Sequence, residues 1–199
     1  MLVPSKDGFP IEMPKAPKGA KWHEDAKVVT RLQYRRDQSG YRADGYRQLF
    51  VVPAHGGTPR QISSGEFDHG APQWTADDRE LVCDGLRAPD ADWQVRESEI
   101  YAFTVATGAV RQVVTRPGGD SSPLVLGDQI VWLGADPGTD THELTRAYTM
   151  PLAGGEPRNL TPSFDRSVQG LLALRSGDTE HVLCALDRKS TRLNSSHLV

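Results

Sequence analysis

Three acidic positions carry the polar chemistry that recurs in this sequence: Asp68-His69, Asp120-Ser121 and Asp165-Arg166. Each pair stands just ahead of a short apolar run, so the sets return at matching places in successive segments. A carboxylate beside His, Ser or Arg can accept hydrogen bonds and orient a polar partner. Gathered around one channel, Asp68, His69, Asp120, Asp165 and Arg166 would form a ring of binding groups for a peptide or a partner domain. The plainer use of each Asp is local, capping a turn by accepting bonds from nearby backbone N–H groups, and we favour that use.

Bond-making chemistry has little to stand on. A nucleophile elbow needs G-x-S-x-G, and the nearest approach, Gly119-Asp120-Ser121-Ser122-Pro123, lacks the second glycine. His23-Glu24 and His142-Glu143 open like a zinc-protease helix, but the position four residues after each His holds Lys27 or Arg146, and neither cation ligates zinc. There is no C-x-x-C pair and no glycine-rich phosphate loop leading into a helix. We therefore expect no metal, no cofactor, and no hydrolysis of peptides or esters by these residues alone.

The elements that must position the polar pairs are repeated. Gln48–Ser63 (QLFVVPAHGGTPRQIS) has two β-type runs joined through Gly56-Gly57, the pattern of a hairpin. It returns as Glu99–Thr115 (EIYAFTVATGAVRQVVT) and Arg146–Thr161 (RAYTMPLAGGEPRNLT), with the marker arginines Arg60, Arg111 and Arg158 spaced 51 and 47 residues apart. After each copy comes a second unit. The first is FDHGAPQWTADDRELVC from Phe67, and the last is DRSVQGLLALRSGDTEHVLC from Asp165. The middle one is shorter, opening on Asp120-Ser121-Ser122-Pro123 and running on through LVLGDQIVW to Trp132. Each holds an Asp, a short strand, a turn with Gly-Asp or Asp-Asp, and a second apolar strand. Four short antiparallel strands per repeat describe a propeller blade. The expected fold is all-β, an incomplete β-propeller of four-stranded antiparallel blades, with two nearly complete blades at about residues 70–115 and 122–161. Val28–Tyr34 alternates enough to be a further strand, and Arg35–Arg47, polar with Gly40 and Gly45, reads as a long hairpin loop.

Composition bounds the rest. The chain has 199 residues, 37% of them hydrophobic, and a mean hydropathy of −0.50. No apolar run nears the roughly 20 residues of a membrane span. A net charge of −3, from 23 basic and 26 acidic residues, offers no basic field for nucleic acid. Met1–Ala20, rich in Pro, Lys and Gly, reads as an irregular loop without the pattern of a secretory signal. Lys15, Lys18 and Lys21 run out of it, on a solvated linker. Cys83 and Cys184 sit at matching places of non-adjacent repeats, too far apart for a disulfide, and read as small buried hydrophobes. Asp187–His197 (DRKSTRLNSSH) resembles the translation of a sequencing adapter, so residues 1–186 are read as a partial propeller and 187–199 as a non-native tail.

LFVVPAHGGTPRQIS, DHGAPQWTADDRELVCDG, SEIYAF and MPLAGGEPRNLTP followed by DRSV resemble the propeller of the prolyl oligopeptidase family of serine peptidases. The nearest branches are the acylaminoacyl-peptidase-like and dipeptidyl-peptidase-like ones, and the likeness spans roughly residues 1–186. The family's blade turn is commonly Ser-Pro-Asp-Gly. Here it is Thr75-Ala76-Asp77-Asp78, Gly127-Asp128 and Ser176-Gly177-Asp178. The resemblance implies a cytoplasmic or periplasmic peptidase whose propeller filters peptide substrates, partnered by a C-terminal α/β-hydrolase domain that holds Ser, Asp and His. No catalytic residue carries over to this chain. A TolB-like propeller shares the blade signature, and that alternative implies protein binding without catalysis.

Overall fold

The computed structural model describes residues 1–3, 14–23, 29, 31–94, 96–138, 143–176, 179–186 and 197–198. Four two-residue strands come first: Leu2–Val3 (β1), Arg35–Arg36 (β2), Gly40–Tyr41 (β3) and Tyr46–Arg47 (β4). β1 pairs with β4 and β2 with β3, both antiparallel. The stretch Val28–Tyr34 makes no strand in its described part, with residues 28 and 30 outside it. The Tyr34 carbonyl accepts the Arg42 N–H at 2.8 Å, but the Leu32 N–H donates to the Asp92 carboxylate at 3.1 Å and not to a neighbouring strand. Arg35–Arg47 is more than a loop, since it contains the β2–β3 hairpin, turned through Gln38 in the left-handed region at φ 67°. Residues 14–23, including Lys15, Lys18 and Lys21, are irregular and exposed, as expected of a solvated stretch.

From Gln48 onward the repeat takes over. Phe50–Val51 (β5) pairs with Arg60–Gln61 (β6), and the chain reverses through Gly56 and Gly57 at φ 94° and 137°. A side chain at such angles is strained, which is why the turn is written with glycines. Gln73–Trp74 (β7), Glu80–Gly85 (β8), Glu99–Thr104 (β9) and Val110–Gln112 (β10) then form one antiparallel sheet in chain order. Asp120–Leu126 (β11), Gln129–Ala135 (β12), Thr145–Pro151 (β13) and Arg158–Asn159 (β14) form the next in the same order. The β7–β8 turn puts Asp78 at φ 57°, a place that glycine fills at least cost. Asp tolerates that conformation better than most residues. Beside it the Thr75 hydroxyl donates to Asp77, whose carboxylate also accepts the Arg79 N–H, so the turn is held from within.

Stacking of the sheets makes the core. Val82, Ile100 and Ala102 of the first blade face Ile130, Trp132, Tyr148 and Met150 of the second. The first blade turns Leu81, Cys83, Tyr101 and Phe103 the other way, onto Leu49 and Ile62 of the β5–β6 unit. Both faces of a central strand are thus covered, and this explains why β9 and β12 read as continuous apolar runs without alternation. Each large side chain buried in this way contributes about 1.5–3 kcal/mol. Innermost strands β7 and β11 lie next to each other. Antiparallel four-stranded sheets stacked face to face, inner strand beside inner strand, are the blades of a β-propeller. The fold is all-β, with no helix among the described residues.

A third unit follows. Val168–Ser176 (β15) pairs with Thr179–Leu186 (β16), and Val168, Leu171, Val182 and Cys184 pack on Leu133 and Ala147 of the second blade. The turn at Gly177-Asp178 lies outside the described residues. His197–Leu198 (β17) adds to the edge of β16, although its segment resembles no blade strand in sequence. Backbone pairing at an open edge asks little of the side chains, so residue type gives no warning of it.

Cys83 and Cys184 are free and buried. Burial pushes the Cys83 thiol up to about 12, with Asp84 adding to the rise, and burial likewise raises Cys184. Thiolate, the reactive form, is therefore scarce at both. A chromogenic disulfide reagent at pH 8 is expected to label neither thiol in folded protein and both after denaturant. Rapid stoichiometric labelling of native protein would contradict this.

Candidate functional site

Antiparallel order places the starts of β7, β9 and β11 and the ends of β8, β10 and β12 on one face of the stack, here the upper face. The lower face carries tight turns such as Thr75–Arg79 and Gly127-Asp128, while the upper face carries the long connection between Gly85 and Glu99. All the sequence-predicted polar pairs sit on the upper face, but not in matching places. Register decides this. His69 bridges Gly85, Asp120 pairs with Gly134, and Val168 pairs with Leu186. These three residues, exposed by 2%, 0% and 1%, are the true structural equivalents, each entering an innermost strand. Asp68 lies one residue before that place and Asp165 three before it.

At the first blade, Asp68 is held by the Arg42 guanidinium and accepts the Arg47 N–H at 2.8 Å. Burial alone would raise its pKa, yet the bonds from Arg47 and Arg42 outweigh it and hold the carboxyl below its ordinary value. His69 is clamped from both sides. Its Nδ1–H donates to the Arg47 carbonyl at 2.9 Å, and Nε2 accepts from Arg87 at 3.0 Å. Burial, reinforced by the Arg87 charge, lowers the His69 pKa, so the ring stays neutral and keeps this arrangement. Arg87 also lies over the Phe67 ring at 4.9 Å and donates to the Ser64 carbonyl.

The second blade builds a tighter cluster around Asp120. Its Oδ1 accepts the Trp132 indole N–H at 2.8 Å and an Arg116 N–H at 3.4 Å. Oδ2 is buried and has no hydrogen-bond partner among the described residues. Arg116 reaches on to Asp136 at 2.7 Å and lies over the Tyr148 ring at 4.4 Å, while Tyr148 stacks on Trp132 and donates its hydroxyl to Asp136. Burial lifts the Asp120 pKa to about 7 against the pull of Arg116 and the Trp132 N–H, and Glu99 and Glu97 add to the rise. Glu99 is itself raised, by burial first and then by Glu97. Just beyond, Ser122 sits at φ 54° inside a bulge between Ser121 and Leu124. Gly119–Pro123 is thus a bulged strand start and not the strand-to-helix turn of a nucleophile elbow.

Asp165 and Arg166 contact each other at 3.6 Å and point into solvent. The structure therefore brings Asp68 and His69 together, sets Asp120 in a separate cluster one blade away, and leaves Asp165-Arg166 apart from both. Arg116, Trp132, Tyr148 and Arg87 belong to these clusters and were not singled out from sequence as site residues. No local pattern signalled them, because an i, i+4 spacing such as that of Arg116 and Asp120 brings side chains together only on a helix. Among the described residues no group of His, Cys, Asp and Glu is arranged to hold a metal ion, and no helix is long and apolar enough to cross a membrane.

Buried polar joints on one face, long connections above them and tight turns below define a stretch of propeller blades with a built-up upper rim. No family model matches the chain, and no curated protein matches it. Among solved structures it is similar to a putative TolB from Agrobacterium tumefaciens, with 20% identity over 63% of this chain and 42% of that one, at a TM-score of 0.47. It is also similar to TolB from Acinetobacter baumannii, with 14% identity over 73% of this chain and 36% of that one, at the same TM-score of 0.47. The matched region spans less than half the length of either protein.

Proposed function

We propose that the chain is a protein-binding propeller segment that holds a peptide or protein partner on its upper face and makes or breaks no bonds itself. The observation that carries this is Trp93, 76% exposed on the connection between β8 and β9. The connection is not slack around it. Asp92 accepts the Leu32 N–H and lies 3.7 Å from Arg31, and Gln94 donates to Asp90 at 2.7 Å. Leu32, half exposed, is tied to the same connection by its N–H bond to Asp92. A large aromatic side chain held out by a braced loop is a pre-organised anchor, and tryptophan is enriched among residues that dominate interfaces. Peptides selected from a displayed library on the immobilised chain are expected to lose about tenfold or more in affinity with Trp93→Ala, a typical effect for such an anchor. If no selected peptide responds to Trp93→Ala, or if bound peptides are cleaved, the reading fails.

A second reading narrows the partner. The likeness of LFVVPAHGGTPRQIS and DHGAPQWTADDRELVCDG to prolyl oligopeptidase-type propellers supports a substrate-gating role in a cytoplasmic peptidase. The partners would then be peptide substrate and an α/β-hydrolase domain. Reading the gene beyond codon 186 tests it: a G-x-S-x-G elbow followed by Asp and His supports gating, and a stop after the last blade supports the binding module alone.

A further inference from the structure

We propose that Asp120 is a proton-operated joint between the first and second blades, tight when its carboxyl is neutral and loosened when it is charged. The joint is physical. The Asp120 N–H donates to the Ser98 carbonyl at 2.8 Å, and the Ser98 hydroxyl donates back to the Asp120 carbonyl at 2.7 Å. Gly119 bridges Ser98 in parallel and accepts the Ala135 N–H, while the Gly118 N–H donates to Glu97 at 3.2 Å. The start of β9 in one blade and the start of β11 in the next are thus tied at one point, and the Asp120 side chain lies wholly buried behind it.

The groups around that side chain set its response. Arg116, from the connection between β10 and β11, is the cation nearest it, and that guanidinium is shared with Asp136 and with the Ala135 carbonyl. Glu97 and Glu99, from the lead-in and first residue of β9, raise its pKa by charge repulsion. Trp132 of β12 gives its single N–H to Oδ1, and Tyr148 of β13 gives its hydroxyl to Asp136. Arg146, also on β13, is turned away to the Thr161 and Phe164 carbonyls. Among the described residues only Oδ1 is met by donors, so an ionised carboxylate leaves a charged oxygen buried without a hydrogen bond.

An unfolded Asp loses its proton near 3.8, whereas folded Asp120 holds it to about 7. Between those values the folded chain carries the extra proton, so stability present at low pH declines as pH rises through the window and levels off above it. From pH 5 to pH 8 the unfolding equilibrium of the wild type should rise on the order of a hundredfold relative to Asp120→Asn, which mimics the neutral form. The comparison cancels the histidines, His69 included, which both proteins share.

Chemical denaturation of the full chain and of Asp120→Asn at pH 5, 6, 7 and 8 tests this. The indole N–H resonance of Trp132 gives a second readout in the wild type alone, needing no variant to fold. It is expected to titrate with a midpoint near 7. Parallel stability profiles for the two proteins, or an indole resonance that stays fixed from pH 5 to 8, would overturn the proposal.

Discussion

Trp132→Ala is expected to destabilise the chain by about 3–5 kcal/mol, the usual range for deleting a large buried aromatic. Trp132 is fully buried, stacks on Tyr148 with ring centroids 5.8 Å apart, and fills the interface between the two complete blades. Its loss opens a cavity where no neighbouring strand can move in, because β11 and β13 hold β12 on both edges along most of its length. It also strips Asp120 of the indole donor, so a polar penalty adds to the packing loss. Trp132→Phe separates the two, keeping a ring and losing the N–H, and should give a smaller loss of about 1–3 kcal/mol. Cys83→Ala offers the internal control. Cys83 occupies the same register position one blade earlier, yet it removes only a sulfur atom's worth of packing. Urea unfolding at constant slope measures all three. A Trp132→Ala protein within about 1 kcal/mol of wild type would show that the blade interface is not the core of this fold.

How legible this was depends on which features are local. Gly56-Gly57 and Gly154-Gly155 announce their turns, because positive φ must be supplied by the residue itself. Tyr101, Phe103, Tyr148 and Met150 fall on third strands as expected, since the hairpin copies fix strand order by connection length. The candidate site was less legible. His69, Asp120 and Val168 share one structural place but no chemistry, so a search for a recurring acid settles on Asp68 and Asp165 instead. Only pairing with Gly85, Gly134 and Leu186 reveals the register. The two-residue strands β2 to β4 were invisible for a different reason, having too few residues to show any period. Nor could the Arg116–Asp136 pair be seen, as its ends lie in separate connections brought together only by the sheet between them.

Gly118→Ala is the other substitution with a large expected effect, about 3 kcal/mol or more, and it acts on the backbone. Gly118 has φ 102°, a conformation side chains rarely adopt, and a Cβ there would stand 2.1 Å from the Ala135 carbonyl oxygen and 3.1 Å from the Pro137 nitrogen. Those are main-chain atoms at the end of β12, which cannot rotate aside as a lysine tip would. The connection must therefore swing out, taking with it the Gly118 bond to Glu97 and the approach of Gly119 to the Ala135 N–H. Gly119 has no slack to offer, because a Cβ on it would already meet the Arg96 carbonyl at 2.6 Å. Gly127→Ala isolates the conformational part of the effect. Gly127 has φ 54° with open space around it, so alanine there bears the cost of left-handed backbone alone, about 1 kcal/mol. The two variants are compared by thermal and urea unfolding. Gly118→Ala should unfold well below Gly127→Ala and lose protection first at the amides of Asp120 and Ala135. Equal stability of the two would mean that the connection between the blades tolerates displacement, and that the close approach of Gly118 to Ala135 does not hold the joint.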